Sequence, residues 1–179
     1  MYRDNSLIPS EAVRLAALGF LARGPSSYAA LSETVRQFCE RIVGPSLDLT
    51  GPSLELLRVE GLIESEGAGD AAETRTLRIT EAGRRELKRL LTARLRGATG
   101  EFNKLVIALK MRFLDLLDPA ERQAQIDLLV DTCEAELRRL SDLRQRLDGE
   151  TSALAAWLDH DMAQIRERAA WFRRLGAGL

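Results

Sequence analysis

A mainly α chain with one small β-hairpin is what this sequence predicts, on three observations. The stretch from Leu49 to Leu87 alternates helix, strand, strand and helix signals at short spacing. On both sides of it, apolar residues recur every three or four positions, the period of a helix with one buried face. A single composition break, Gly97-Ala98-Thr99-Gly100, divides the chain into a half with the hairpin and a half without. Helix, hairpin and helix in this order form the second half of a winged helix-turn-helix, so the expected domains are a winged helix over 1–97 and a helical unit over 101–179.

Taken in order, the first helix should run from a Ser10 cap to about Arg23, with Glu11 favourable in its first turn. Val13, Leu15, Ala17, Leu18 and Leu21 cover more than half its surface, so it should be mostly buried. Gly24-Pro25 stops it. Ser26 or Ser27 then caps a second helix, in which Leu31, Val35, Phe38 and Ile42 form one stripe until Gly44-Pro45 closes it. In the third helix Thr50 can cap, Pro52 sits in the opening turn, and Leu54 and Leu57 share a face. Gly61 ends this helix, because glycine alone takes positive φ without steric cost.

Leu62 to Glu66 reads as a strand, residues 67–74 as a solvated tip, and Arg75 to Ile79 as a strand alternating polar and apolar. Thr80 caps the fourth helix, which carries Leu87, Leu90, Leu91 and Leu95 and should end at the glycine break. Beyond it, Phe102, Leu105, Val106, Leu109, Phe113, Leu116 and Leu117 suit one helix face. Asp118-Pro119-Ala120-Glu121 is a restart signal: a cap, a proline at the first position and an acid at the third.

In the helix that follows, Ile126, Cys133, Leu140 and Leu147 recur every seven residues, with Leu129, Leu137 and Leu143 between them. Such a heptad stripe needs a partner helix. The last helix repeats Leu154, Leu158, Met162, Ile165, Ala169 and Phe172, and Trp157 and Trp171 lie beside that stripe. Three helices with such long stripes and two flanking tryptophans exceed what a separate three-helix unit needs to bury. A coiled-coil-like homodimer through Leu140, Leu147, Leu154, Trp157, Leu158, Ile165, Trp171 and Phe172 is therefore expected. The tryptophans could instead pack in a core or line a ligand groove.

Composition narrows the function. The net charge is −1, with 14 Lys and Arg against 13 Asp and Glu over residues 1–97 and 12 against 14 over the rest. Neither half is basic enough for a large non-specific affinity for nucleic acid, which leaves room only for a local patch. The opening residues contain no apolar leader, and no run approaches the roughly 20 residues that span a bilayer, so a cytoplasmic protein with no membrane contact is expected. Cys39 and Cys133 fall on apolar helix faces and read as buried thiols. His160, the only histidine, sits between two aspartates on a charged face. No nucleophile elbow, phosphate-cradling glycine loop or metal-ligand spacing occurs, so no enzyme, metal or cofactor is expected.

LTGPSLELLRVEGLIES followed by RTLRITEAGRREL resembles the PadR-type transcriptional regulators, with their leucine-proline helix, Leu-Glu-x-Glu-Gly-Leu-Ile, wing and Ile-Thr-x-x-Gly-Arg. Upstream, LAALGFLARGPSSYAAL is similar to that family's first helix and its Gly-Pro turn with a tyrosine opening the second helix. The helical C-terminal half is similar to the virulence-activator, AphA-like branch, so the resemblance spans essentially the whole chain. Two departures stand out: Gly51 replaces a usual tyrosine, and the wing is acidic where many members are basic.

This resemblance implies a homodimer that binds double-stranded DNA at a pseudo-palindromic operator, with room for a small-molecule or protein effector. It places Ser27 and Tyr28 near the DNA backbone; a tyrosine hydroxyl can donate to phosphate, or the ring can staple onto the first helix. Thr50, Ser53 and Arg58 would face outward from the third helix, although the two hydroxyls can equally serve as caps. Arg36 on the second helix is a further candidate contact. Arg75 and Arg78, at odd spacing, cannot share a strand face, so one could reach DNA while the other pairs with Glu64 or Glu66. Asp70 and Glu73 disfavour deep insertion of the tip, and Glu55 and Glu60 would repel phosphate. The alternative is a winged-helix interaction module that binds a protein or ligand and has weak or no affinity for DNA.

Overall fold

The computed structural model of the chain describes residues 7–44, 54–66, 75–95, 97–98, 100–147 and 152–179. Along the chain lie α1 (Pro9–Arg23), β1 (Ser26–Ser27), α2 (Tyr28–Val43), α3 (Leu54–Val59), β2 (Ile63–Glu66), β3 (Thr76–Ile79), α4 (Glu81–Thr92), α5 (Glu101–Arg112), α6 (Pro119–Arg146) and α7 (Ala153–Ala177). A 3₁₀ turn, Leu114–Leu116, follows α5. The chain is mainly helical with a small antiparallel sheet, as its patterning implies, and divides into two compact units. The first holds α1 to α5 with all the strands; the second holds α6 and α7.

Helix α1 is the centre of the first unit and packs on α2, α4, α5 and β3. Its start differs from the expected Ser10 cap. Pro9 takes the first helical position, where its missing N–H is no loss, and the cap residue is Ile8. Isoleucine has no side-chain acceptor, so the capping interaction runs backward: the Ile8 N–H donates to Glu11 Oε2 at 3.1 Å. Ala12, Leu15, Ala16, Ala17, Leu18 and Leu21 are all buried. Gly19 lies against the Phe113 ring so closely that an added methyl group would overlap it. Beside this contact Phe20 meets Phe113 and Phe38 edge-on, with centroids 5.3 and 5.9 Å away.

Ser27 caps α2, its side chain accepting from the Ala30 N–H at 3.2 Å. The preceding Ser26–Ser27 also forms a strand that sequence patterning does not signal, since two residues carry no period. It pairs antiparallel with β3, giving a sheet of order β1-β3-β2. Leu77 and Ile79 point into the core while Thr76 and Arg78 face solvent, as the alternation requires. Gly61, at φ +71°, ends α3. Thr80 then ties the turn between α3 and β2 to the start of α4. Its N–H donates to Leu62 O at 3.1 Å, its hydroxyl donates to Gly61 O at 2.7 Å, and the same hydroxyl accepts from the Gly83 N–H at 3.0 Å. Helix α4 approaches the turn before β2 so tightly here that a methyl on Gly83 would overlap the Leu62 carbonyl. The predicted tip, 67–74, lies outside the described residues.

Helix α4 ends at Thr92, short of the glycine break, and Leu95 lies beyond it, half-buried. The cause is Lys110 of α5, which donates to the Leu91 and Ala93 carbonyls at the end of α4. Leu105, Val106, Leu109 and Phe113 are buried, and α5 packs on α1 and α2. Helix α5 therefore folds with the winged-helix unit, and the three helices expected together beyond residue 100 are split between the units. The apolar stripe of α5 had marked a buried face without saying which partner would cover it.

In the second unit, Asp118, Pro119 and Glu121 start α6 as expected, the Glu121 N–H donating to Asp118 Oδ1 at 2.9 Å. Helices α6 and α7 pair antiparallel, with Arg144 on Asp159 at 3.0 Å near the turn and Arg173 on Glu134 at 2.5 Å farther out. The heptad stripe thus finds its partner within the chain. Ile126, Leu129, Cys133 and Leu140 are buried with Leu158, Met162, Ile165, Ala169 and Phe172. Leu140, Leu158, Ile165 and Phe172 were expected at a dimer interface; the intrachain pairing already consumes their apolar surface.

Candidate nucleic-acid interface

The winged-helix unit presents α3 and the β2–β3 hairpin from one scaffold. Leu54 and Leu57 anchor α3 by burial, and the Leu62 N–H donates to Leu57 O at 2.9 Å, closing the turn between α3 and β2. A second tie is ionic: Arg14 of α1 holds Glu60 bidentately at 2.6 and 3.0 Å. Arg14 also lies 3.6 Å from Glu86, which pairs with Arg89, which in turn reaches Glu11 at 3.0 Å. Hydrogen bonding from Arg89 holds the Glu86 carboxyl below its ordinary range. This chain of charges links α1, α4 and the end of α3, and it accounts for Glu60, whose carboxylate is engaged with Arg14.

Thr50 and Ser53 lie outside the described residues. Ser27 is occupied as the α2 cap, and Tyr28, the first residue of that helix, is half-buried. Arg36 is exposed but lies between two carboxylates, Glu33 at 2.6 Å and Glu40 at 3.0 Å. Hydrogen bonds from Arg36 and then Gln37 hold the Glu33 carboxyl below its ordinary range, so that carboxylate is ionised at neutral pH and balances the cation. Arg58 donates to Glu55 at 2.8 Å. Arg78 stands directly opposite Glu64 in the hairpin register, both exposed, whereas Arg75 precedes the strand and is half-buried. Arg75 lies outside the strand, so the alternation that turns Arg78 to solvent does not govern it; opposite charges facing each other across a hairpin contribute at most about 1 kcal/mol.

Two further residues of α3 face outward that the sequence patterning alone does not single out. Leu56 is 41% exposed and Val59 76%, both on a helix whose other leucines are buried. The available signal was angular. With Leu54 and Leu57 inward, about 100° per residue turns Glu55, Leu56 and Val59 outward and leaves Arg58 at the flank.

Among the described residues of the second unit, the exposed large apolar side chains are Leu143, Leu154 (48%), Trp157 (56%), Trp171 (46%) and Leu179, while Leu147 is half-buried. Trp171 rests edge-on against Phe172 with centroids 5.2 Å apart. An open groove of about 510 Å³ lies between α6 and the end of α7, with Asp127, Asp131, Arg173 and Gly176 among its lining residues. Neither tryptophan is among its lining residues. Among the described residues no group of three or more His, Cys, Asp or Glu could hold a metal ion. His160 is exposed, its Nε2 2.9 Å from the Gln164 amide nitrogen. No helix among the described residues is long and apolar enough to cross a membrane.

No curated protein sequence matches this chain. Among solved structures it is similar to Bacillus subtilis PadR in complex with operator DNA, at 18% identity, 93% of this chain and 97% of that chain covered, and a TM-score of 0.37. The same protein in complex with p-coumaric acid is similar at 18% identity, 96% and 97% coverage and a TM-score of 0.39. A family profile described as "Putative AphA-like transcriptional regulator" matches residues 2–176, almost the full length. The chain belongs to the AphA-like family of transcriptional regulators, not to a family of enzymes.

Proposed function

We propose that this regulator binds double-stranded operator DNA as a homodimer, with α3 and the wing of each protomer reading one half of a pseudo-palindromic site. The observation that carries the proposal is the bracing of α3: buried leucines, the Leu62–Leu57 bond that closes its turn and the Arg14–Glu60 pair hold it as an outward ridge. Dimerisation is assigned to the outer face of α7. Trp157 and Trp171 are 14 residues apart, about 21 Å along a helix, and fall within one narrow arc. A two-fold axis near Gln164 would bring Trp157 of each protomer to Trp171 of the partner subunit, burying apolar rings that are otherwise half in water. An effector would fit the α6–α7 groove, whose carboxylates and guanidinium suit a polar molecule.

A second reading is a winged-helix module that has left DNA for a protein partner. It is favoured by one observation: the exposed cations Arg36 and Arg58 are matched by glutamates on their own helices. The test is binding of the full-length dimer to DNA from its own promoter region, with scrambled competitor and a salt series. Specific binding that weakens steeply with salt, and is lost on changing Thr50 and Ser53 to Ala and Tyr28 to Phe, supports the regulator. Absence of specific binding at low salt by folded dimer supports the module.

A further inference from the structure

We infer that Leu56 and Val59 of α3 read thymine methyl groups in the major groove, an inference that rests on the DNA-binding proposal above. They are the outward apolar residues of a short helix that buries its other two leucines. The charges beside them are matched locally: Arg58 donates to Glu55, and Glu60 is held by Arg14. This face therefore offers a phosphate little, and what remains to be read with is methyl surface.

Neither side chain can donate or accept a hydrogen bond. On a major-groove base edge the one group that complements them is the thymine C5 methyl. Opposite a cytosine amino group or guanine O6, the same side chains would displace water and leave the polar atom unpaired, which makes the contact selective as well as attractive. Val59, β-branched in a helix, holds one rotamer and so presents its methyls at a defined place. Residues three apart on a helix stand about 5–6 Å apart. That separation falls between one and two steps of about 3.4 Å along a DNA strand. The pair therefore fits thymines at neighbouring or next-neighbouring positions of each half-site. A patch of two side chains is far smaller than the roughly 800 Å² per partner of a stable protein interface.

The test starts with duplexes selected from a random pool by the full-length protein at low salt. Each thymine of the selected half-site is then replaced in turn by deoxyuridine, which removes the methyl group alone. Wild-type protein should bind about four-fold more weakly at one or two positions no more than two steps apart, the loss expected for one buried methyl. Val59→Ala and Leu56→Ala, both at exposed sites and checked for fold by circular dichroism, should each lose the deoxyuridine penalty at one of those positions. Enriched duplexes that bind equally well with deoxyuridine everywhere would overturn this inference and leave the DNA-binding proposal standing. Full deoxyuridine sensitivity in both variants would overturn it as well. If no duplex is enriched, the DNA-binding proposal fails and the inference fails with it.

Discussion

Replacing Lys110 by methionine should abolish a pH dependence of stability that this one side chain imposes. Lys110 is 1% exposed, and burial pushes its pKa from 10.5 down to about 7. Above pH 10.5 the amine is neutral in the folded and unfolded chain alike, and it contributes no pH dependence. Between 10.5 and 7 the unfolded chain binds a proton that the folded chain does not, so stability falls as pH falls; below 7 both states are charged and the penalty levels off. Each pH unit in that window is worth about 1.4 kcal/mol, so between pH 10 and pH 7 the wild type should lose about 4 kcal/mol relative to Lys110→Met. The Leu91 and Ala93 carbonyls and the C-terminal dipole of α4 favour the ammonium form and act against burial, so 4 kcal/mol is the upper bound. Methionine leaves those carbonyls without the lysine donor, at about 1–3 kcal/mol for each one unsatisfied, but that loss does not vary with pH. Urea unfolding of both proteins at half-unit steps from pH 6.5 to 10 reads the difference directly. A wild-type-minus-variant stability that stays constant across the series would refute the reasoning, because the folded amine would then titrate as it does in the unfolded chain.

Other perturbations test the packing and the proposed assembly. Gly19→Ala should destabilise the winged-helix unit by about 1–3 kcal/mol in urea melts through overlap with Phe113, and Phe113→Leu in the same chain should recover part of the loss. Thr80→Ala removes the α4 cap and the bond to Gly61 O, with an expected loss of about 1–2 kcal/mol; Thr80→Ser should stay close to wild type, since it keeps the hydroxyl. Trp157→Ala with Trp171→Ala should shift sedimentation from dimer to monomer without changing the helical circular dichroism signal, and an unaltered dimer would move the interface elsewhere. Both tryptophans of the chain lie on α7, so tryptophan emission, excited selectively over tyrosine, reports the second unit alone and should shift to the blue with rising protein concentration as dimers form.

What the residues determined by themselves is what acts within a few positions along the chain. Thr80, Ser27 and the Asp118-Pro119-Ala120-Glu121 run set helix starts through bonds three residues long, Gly61 sets a turn through its own φ, and the alternation of Thr76 to Ile79 sets which strand face is buried. Periodicity likewise marked the buried faces of α5, α6 and α7. Only the tertiary structure decided what covers each face. The α6 stripe closes on α7 of the same chain, and α5 joins the winged-helix unit because its leucines and Phe113 pack there while Lys110 ends α4. It also made a strand of Ser26–Ser27 and brought Arg14 to Glu60, 46 residues along the chain. The physical reason is reach: a cap or a turn is satisfied by near neighbours, whereas an apolar stripe is satisfied by any complementary surface, and which surface arrives depends on the packing of the whole chain.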